Sequence, residues 1–202
     1  MHPRILELLK YIDAQDTRLR ETFALVPQER RTERPAPDRW SAVEIVQHCV
    51  LVEQLIITLL HGLVERARAL PPESDDSALL PMKSVARVEI RTHRVRTVPP
   101  AEPADAQPAR IWNDYAAARA RLKTLIAAAD GLALGHVTAP HPYLGEFTGY
   151  EWIAFAGSHA ARHADQIREM TSSLDVPKSM RGPIIYTPRG VGCSPRGFLW
   201  HG

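Results

Sequence analysis

The sequence EWIAFAGSHAARHADQI, residues 151–167, carries two histidines one helical turn apart. Apolar and aromatic side chains recur here at intervals of three and four residues, which predicts an amphipathic helix. The face predicted to be buried consists of Trp152, Phe155, His159, His163 and Met170. Both imidazoles therefore lie on the side of the helix that packs against the rest of the protein.

A third histidine follows a second clear helix start, in the sequence WSAVEIVQH at residues 40–48. Ser41 and Glu44 have the spacing of a capping box, which marks the N-terminus of a helix. The apolar stripe predicted for this helix consists of Ile45, His48, Val52, Leu55 and Leu59. His48 is thus also predicted to face the core.

The same patterns predict four helices in all, and hence an all-α fold. A second capping box, Thr148 with Glu151, precedes the last helix, and Pro71 and Pro72 end the second one. Pro140, Pro142 and Gly145 indicate tight turns around His136 and His141, for which we expect a structural role. The predicted helices cover residues 3–25, 41–70, 109–129 and 148–173.

Two segments lack a helical rhythm and are rich in proline. Residues 71–108 are expected to form a long crossover between helices two and three, with a possible short hairpin or extended piece. Residues 175–202, rich in proline and glycine, are expected to form an irregular tail. The predicted organisation is one domain, residues 1–174, followed by this tail.

Composition argues against several classes of partner. The chain has 202 residues, with 25 basic and 23 acidic side chains. A near-neutral balance does not favour nucleic acid or a membrane surface as the partner. No long uninterrupted apolar stretch or signal peptide is apparent, and the two cysteines suggest no disulfide framework. We therefore expect a cytoplasmic protein with reduced thiols.

Three buried histidines indicate a metal centre. Neutral imidazoles can satisfy one another by binding one divalent ion, and three protein ligands leave an open position on it. Zinc suits such ligands best, while nickel and iron(II) also accept them. Asp16 is the best acidic candidate to orient a ligand histidine, although a helical pairing with Arg20 is the more usual arrangement for such an aspartate. The alternative is that the histidines are core residues bonded to neighbours such as Asp16 or water.

Three segments together resemble the DinB-like metalloprotein superfamily: residues 40–48, the sequence HPYLGEFT at residues 141–148, and residues 151–167. The resemblance implies an up-down-down-up four-helix bundle with a long crossover between helices two and three. It also implies a divalent metal bound by His48, His159 and His163, and a homodimer. Relatives include transferases and isomerases that use low-molecular-weight thiols, and others are regarded as hydrolases.

Three functions follow as hypotheses. The first is a metal-dependent enzyme, of thiol S-transferase or hydrolase type, that activates a thiol or water against a small-molecule substrate. The second is a non-catalytic metal-binding or stress-response module whose ion holds two helices together. The third, which we favour least, is a peptide or nucleic-acid partner that docks on basic residues of the crossover, namely Arg87, Arg91, Arg94 and Arg96.

Overall fold

Four α-helices account for most of the described chain. The computed structural model describes residues 1–72 and 101–174, with side chains as far as residue 171. The helices are α1 (Pro3–Ala24), α2 (Ala42–Arg68), α3 (Ile111–Ala128) and α4 (Gly149–Leu174). The four predicted helices are confirmed, each with bounds within about two residues. The basic cluster of the crossover, any extended piece beside it, and the tail lie outside the described residues.

Both predicted capping boxes are confirmed. Ser41 Oγ accepts a hydrogen bond from the backbone N–H of Glu44 at 3.3 Å, and the Glu44 carboxylate accepts from Ser41 N–H at 2.8 Å. Thr148 and Glu151 make the same reciprocal pair, at 3.2 Å and 2.9 Å. Each box satisfies backbone donors that the first turn of its helix would otherwise leave unpaired.

Contacts between α1 and α4 show that these two helices run parallel. The Tyr11 hydroxyl lies 3.1 Å from Ser158 Oγ, and Arg18 forms an ion pair with Asp165 at 2.5 Å. A step of seven residues along α1 therefore matches a step of seven residues along α4. Each step corresponds to two helical turns, so the contacting faces stay in register.

Helix α3 runs against α1. Asp13 of α1 pairs with Lys123 of α3 at 2.5 Å, while Arg20, further along α1, lies over the Trp112 ring near the start of α3. Residue numbers thus rise along one helix and fall along the other. α3 is antiparallel to α1 and, in consequence, to α4.

Helix α2 runs parallel to α3, which completes the topology. Gln47, early in α2, donates to the backbone carbonyl of Ala104 just before α3, and Glu53 further along pairs with Arg119. The four helices therefore run up, down, down and up, as predicted. Because α2 and α3 point the same way, the end of α2 and the start of α3 lie at opposite ends of the bundle.

The buried face of α2 differs from the predicted stripe. Ile45 and His48 are buried, but Leu55 is 42% exposed and Val52 and Leu59 are only half-buried. α2 packs against α3 on one side and α4 on the other, so its buried arc is wider and is rotated away from Leu55. Its buried residues include Val46, Val50, Glu53, Ile57, Leu60 and Val64.

Among the described helices, α2 alone is long and apolar enough to cross a membrane by length and composition. More than half of its apolar window is buried inside the bundle. A helix at the centre of a protein core has the same length and composition, because apolar neighbours cover it on several sides.

A short β-hairpin corrects the prediction of a turn-rich loop before α4. Its strands are β1 (Thr138–His141) and β2 (Gly145–Thr148), paired antiparallel with His141 opposite Gly145. Gly145 has a φ of 86°, a left-handed conformation that glycine adopts without strain. The structural role expected for His141 is confirmed, since its Nδ1 accepts the backbone N–H groups of Tyr143 and Leu144, both at 3.2 Å.

We expect His141 to make folding sensitive to acid. Burial lowers the pKa of His141 to about 4, below its ordinary value near 6.5. Between these two values the unfolded chain binds more protons than the folded one. The stability contributed by the neutral ring is therefore complete above about pH 6.5 and is lost as the pH falls towards about 4.

The measurement is urea unfolding of the wild type and His141→Asn at about pH 7.5 and about pH 4.5. Asparagine keeps an acceptor for the two backbone N–H groups but does not titrate. The free energy of unfolding should fall more steeply with acidification in the wild type than in the variant. Equal losses in the two proteins would contradict the prediction.

Candidate metal centre

Three imidazole rings converge between α2 and α4. His159 Nε2 lies 3.2 Å from His48 Nε2 and 3.2 Å from His163 Nε2. The three ligand atoms all lie within 4.8 Å of one another. The structure thus brings together the three histidines that the sequence singled out, although His48 and His159 are 111 residues apart in the chain.

Two of the rings are oriented by hydrogen bonds on their far side. His48 Nδ1 lies 2.7 Å from the carbonyl oxygen of Ala101, and His163 Nδ1 lies 2.8 Å from Gln166 Oε1. Both partners are acceptors, so each Nδ1 carries the proton and donates it. The Nε2 lone pairs of His48 and His163 are then left to face the centre, which is the tautomer that a metal ligand requires.

Asp16 does not share in this arrangement of hydrogen bonds. Its carboxylate accepts from Arg20 Nε at 3.2 Å and 3.3 Å, the pairing that the sequence offered as the alternative to an orienting role. Orientation of the ligand rings falls instead to Ala101 and Gln166.

The surroundings favour the neutral form of His48 and His159. His48 and His163 are buried, and His159 is half-buried. Burial lowers the pKa of His48, and it holds the pKa of His159 well below its ordinary value, with the neighbouring His163 and His48 adding to the effect. Arg162 contributes in the same direction at both rings. Neutral imidazole is the form that binds metal, so no proton has to be displaced from these rings at neutral pH.

The donor set fits a divalent ion. Two nitrogens bound to one zinc ion at about 2.0–2.1 Å in tetrahedral geometry lie about 3.3 Å apart, close to the two separations of 3.2 Å. Within residues 1–72 and 101–171 the cluster contains only these three histidines, without a fourth histidine, cysteine or carboxylate. An ion held here would keep at least one position open for another molecule.

Aromatic and apolar side chains surround the histidines. The Trp40 ring lies 4.8 Å from the His48 ring, and the Phe155 ring lies 5.5 Å from His159. Cys49, next to His48 in the chain, is buried, and burial raises the pKa of its thiol, as expected for a packing residue. Electrostatic interactions with a ligand are stronger in such an environment than in water.

Sequence reasoning missed a buried ion pair beside the centre. Glu53 of α2 and Arg119 of α3 pair at 3.0 Å and line one narrow crevice together with His159. Their positions could have indicated burial, because each lies three or four residues from apolar residues on the buried face of its helix. Gln166 could also have been predicted as a partner of His163, because it lies three residues later on the same face of the helix. The contact with the Ala101 carbonyl could not, because every residue has a backbone carbonyl.

Comparison with known proteins places these residues inside one family match. The model of the DinB superfamily matches residues 11–167, a range that includes all three histidines. A curated relative, named Uncharacterized protein YuaE, from Bacillus subtilis (strain 168), is 24% identical over 149 residues, which cover 73% of this chain and 86% of the relative. No solved structure matches the chain significantly.

Replacement of a single ligand histidine should abolish metal binding. His163→Ala and His48→Ala each leave two imidazoles, too few for a tight site. Elemental analysis after reconstitution with zinc should find close to one ion per wild-type chain and almost none in either variant. His61→Ala is the matched control, because His61 lies on α2 but is exposed. Equal metal content in the wild type and His163→Ala would refute the assignment.

The hydrogen bond from His163 to Gln166 should tune metal affinity. Gln166→Met keeps the length of the side chain but removes the acceptor, and loss of such a partner weakens binding by about 10–100-fold. Gln166→Glu, which retains an acceptor, should bind at least as tightly as the wild type. Competition with a zinc chelator measures both affinities. An unchanged affinity in Gln166→Met would show that the bond does not orient the ring.

Proposed function

This chain belongs to the DinB superfamily, and from its three-histidine centre we propose that it is a metal-dependent enzyme acting on a thiol or water. The reaction would be of thiol S-transferase or hydrolase type, with a small-molecule substrate. The observation that carries the proposal is the convergence of three Nε2 atoms without a fourth ligand in the described part of the chain. Structural sites usually complete four protein ligands, whereas catalytic sites keep one position open.

His48, His159 and His163 would hold the ion, and we propose zinc, with nickel and iron(II) as alternatives. Imidazole accepts all three, and order of affinity does not choose among metals in a cell. A divalent ion bound here would lower the pKa of a thiol or water at its open position, so that the anion forms near neutral pH.

The residues around the ligands support this chemistry by orientation and exclusion of solvent. Ala101 and Gln166 hold two of the rings in the ligand tautomer, so the rings need little reorganisation when metal binds. Trp40 and Phe155 cover two of the rings with aromatic surface. A shielded site strengthens the interaction between a cationic centre and an anionic nucleophile.

We further propose a low-molecular-weight thiol as cosubstrate, a cytoplasmic location and a homodimer, with neither nucleic acid nor a membrane as partner. The thiol and the dimer follow from the family resemblance. The balance of charge supports the exclusion of nucleic acid, because 25 basic against 23 acidic residues leave only a small excess to neutralise phosphates. The burial of α2 within the bundle supports the exclusion of a membrane.

The test is spectroscopy of the cobalt(II)-substituted protein. Addition of 2-mercaptoethanol should produce a charge-transfer band from thiolate to cobalt in the wild type and none in His163→Ala. A hydrolase that uses water should instead cleave an activated ester in a manner that is lost on chelation, whether or not the thiol also binds cobalt.

A non-catalytic module would behave differently from both. The spectrum would not respond to thiol, no ester would be cleaved, and chelation would only lower the melting temperature, because the ion ties α2 to α4. That combination of results would overturn the proposal of an enzyme.

A further inference from the structure

The ion pair between Glu53 and Arg119 is buried but incompletely bonded. Glu53 is 3% exposed and Arg119 is 5% exposed. Glu53 Oε2 lies 3.0 Å from Arg119 Nη2, and the same Nη2 donates to the Tyr115 hydroxyl at 2.5 Å. Among the described residues, Glu53 Oε1 and Arg119 Nε and Nη1 have no hydrogen-bond partner.

Unpartnered atoms of this kind are unusual in a protein interior. Buried polar groups are nearly always bonded, because a donor or acceptor removed from water without a partner destabilises the fold. A pair of apolar residues at these positions would avoid that penalty and would often be at least as stable. The pair therefore calls for a reason other than stability.

The position of the pair points to the metal centre. Glu53, Arg119 and His159 line the same narrow crevice between α2, α3 and α4. The rest of its wall is formed by small and apolar side chains, namely Cys49, Val52, Ile56, Ala156 and Ala160. A molecule whose reacting atom reaches the centre beside His159 can thus extend a second group towards the pair.

We propose that Glu53 and Arg119 form a binding subsite for an amide group of the molecule that binds at the three-histidine centre. This inference rests on the proposed function and specifies the class of thiol that the protein accepts. The carbonyl oxygen of the amide accepts from Arg119, and its N–H donates to Glu53 Oε1.

The charges of the pair favour an amide over ionic groups. Glu53 and Arg119 already neutralise each other, so a carboxylate would be repelled by Glu53 and an ammonium group by Arg119. An alkyl group would leave the same polar atoms unpaired. An amide supplies one acceptor and one donor without net charge, which matches the free N–H groups and the free oxygen.

Entry of the amide requires the crevice to widen. The crevice is too narrow for a water molecule, and Val52 in its wall is half-buried. We place this movement at Val52, because its side chain is only partly covered and rotamer changes are common when a ligand binds.

The experiment compares two thiols on the cobalt(II)-substituted protein by titration of the charge-transfer band. N-acetylcysteamine carries an amide two carbons from sulfur, and 1-propanethiol lacks it. In the wild type the amide-bearing thiol should bind about tenfold or more tightly, the difference expected when an amide is well paired in a buried site. In the double variant Glu53→Leu/Arg119→Met the two affinities should be equal.

Replacement of both partners is essential, since removal of one leaves the other as an unpaired buried charge. The double variant should keep its cobalt content, its affinity for 1-propanethiol and at least the wild-type melting temperature. Should it fail to fold, Glu53→Met/Arg119→Met is the second variant. It also removes both charges, with flexible side chains that fill the space, and should make the two affinities equal.

Equal affinity for the two thiols in the wild type, or a preference that persists in the double variant, would overturn the subsite and leave the thiol chemistry intact. If neither thiol produced the charge-transfer band, the proposed thiol function would be overturned, and the subsite with it.

Discussion

Three imidazole rings are removed from water at the centre of the bundle, and their desolvation governs how the residues around them are arranged. His48 and His163 are buried and His159 is half-buried, and the positive charge of Arg162 lies near His48 and His159. Protonation is thus disfavoured, and each neutral ring must find a partner for both nitrogens. Ala101 and Gln166 satisfy two of the outer nitrogens. The inner lone pairs meet at one point, and a divalent ion is the partner that can satisfy several of them together.

Much of the fold could be predicted because its signals are local. The capping boxes at Ser41 and Thr148 and the spacing of apolar side chains depend only on neighbours within a few residues. The β-hairpin was not predicted, because its strands are four residues long and Pro140 lies within one of them. So short a segment shows no clear alternation of apolar and polar residues. The exposure of Leu55 was not predicted for another reason. It depends on which helices pack against α2, and the spacing of residues within α2 does not give that arrangement.

The same division separates what could and could not be predicted of the site. His48, His159 and His163 were identifiable because each occupies a position where a helix pattern calls for a core residue. Glu53 and Arg119 occupy such positions too, but a lone charge in a stripe is ambiguous until its partner is known. Their pairing joins α2 to α3 across a bundle interface and follows from the direction of the helices.

Topology explains how a backbone carbonyl came to orient a ligand. α2 has 27 residues, a length of about 40 Å, and α3 runs parallel to it. The connection must therefore return to the level at which α2 begins before α3 can start. His48 lies near that level. Two hydrogen bonds fix the chain there: His48 Nδ1 donates to the carbonyl of Ala101, and Gln47 donates to the carbonyl of Ala104. Ala101, near the end of the crossover, is thus part of the centre. A bundle with α2 and α3 antiparallel would need only a short loop at the far end of α2, and His48 Nδ1 would lose this acceptor.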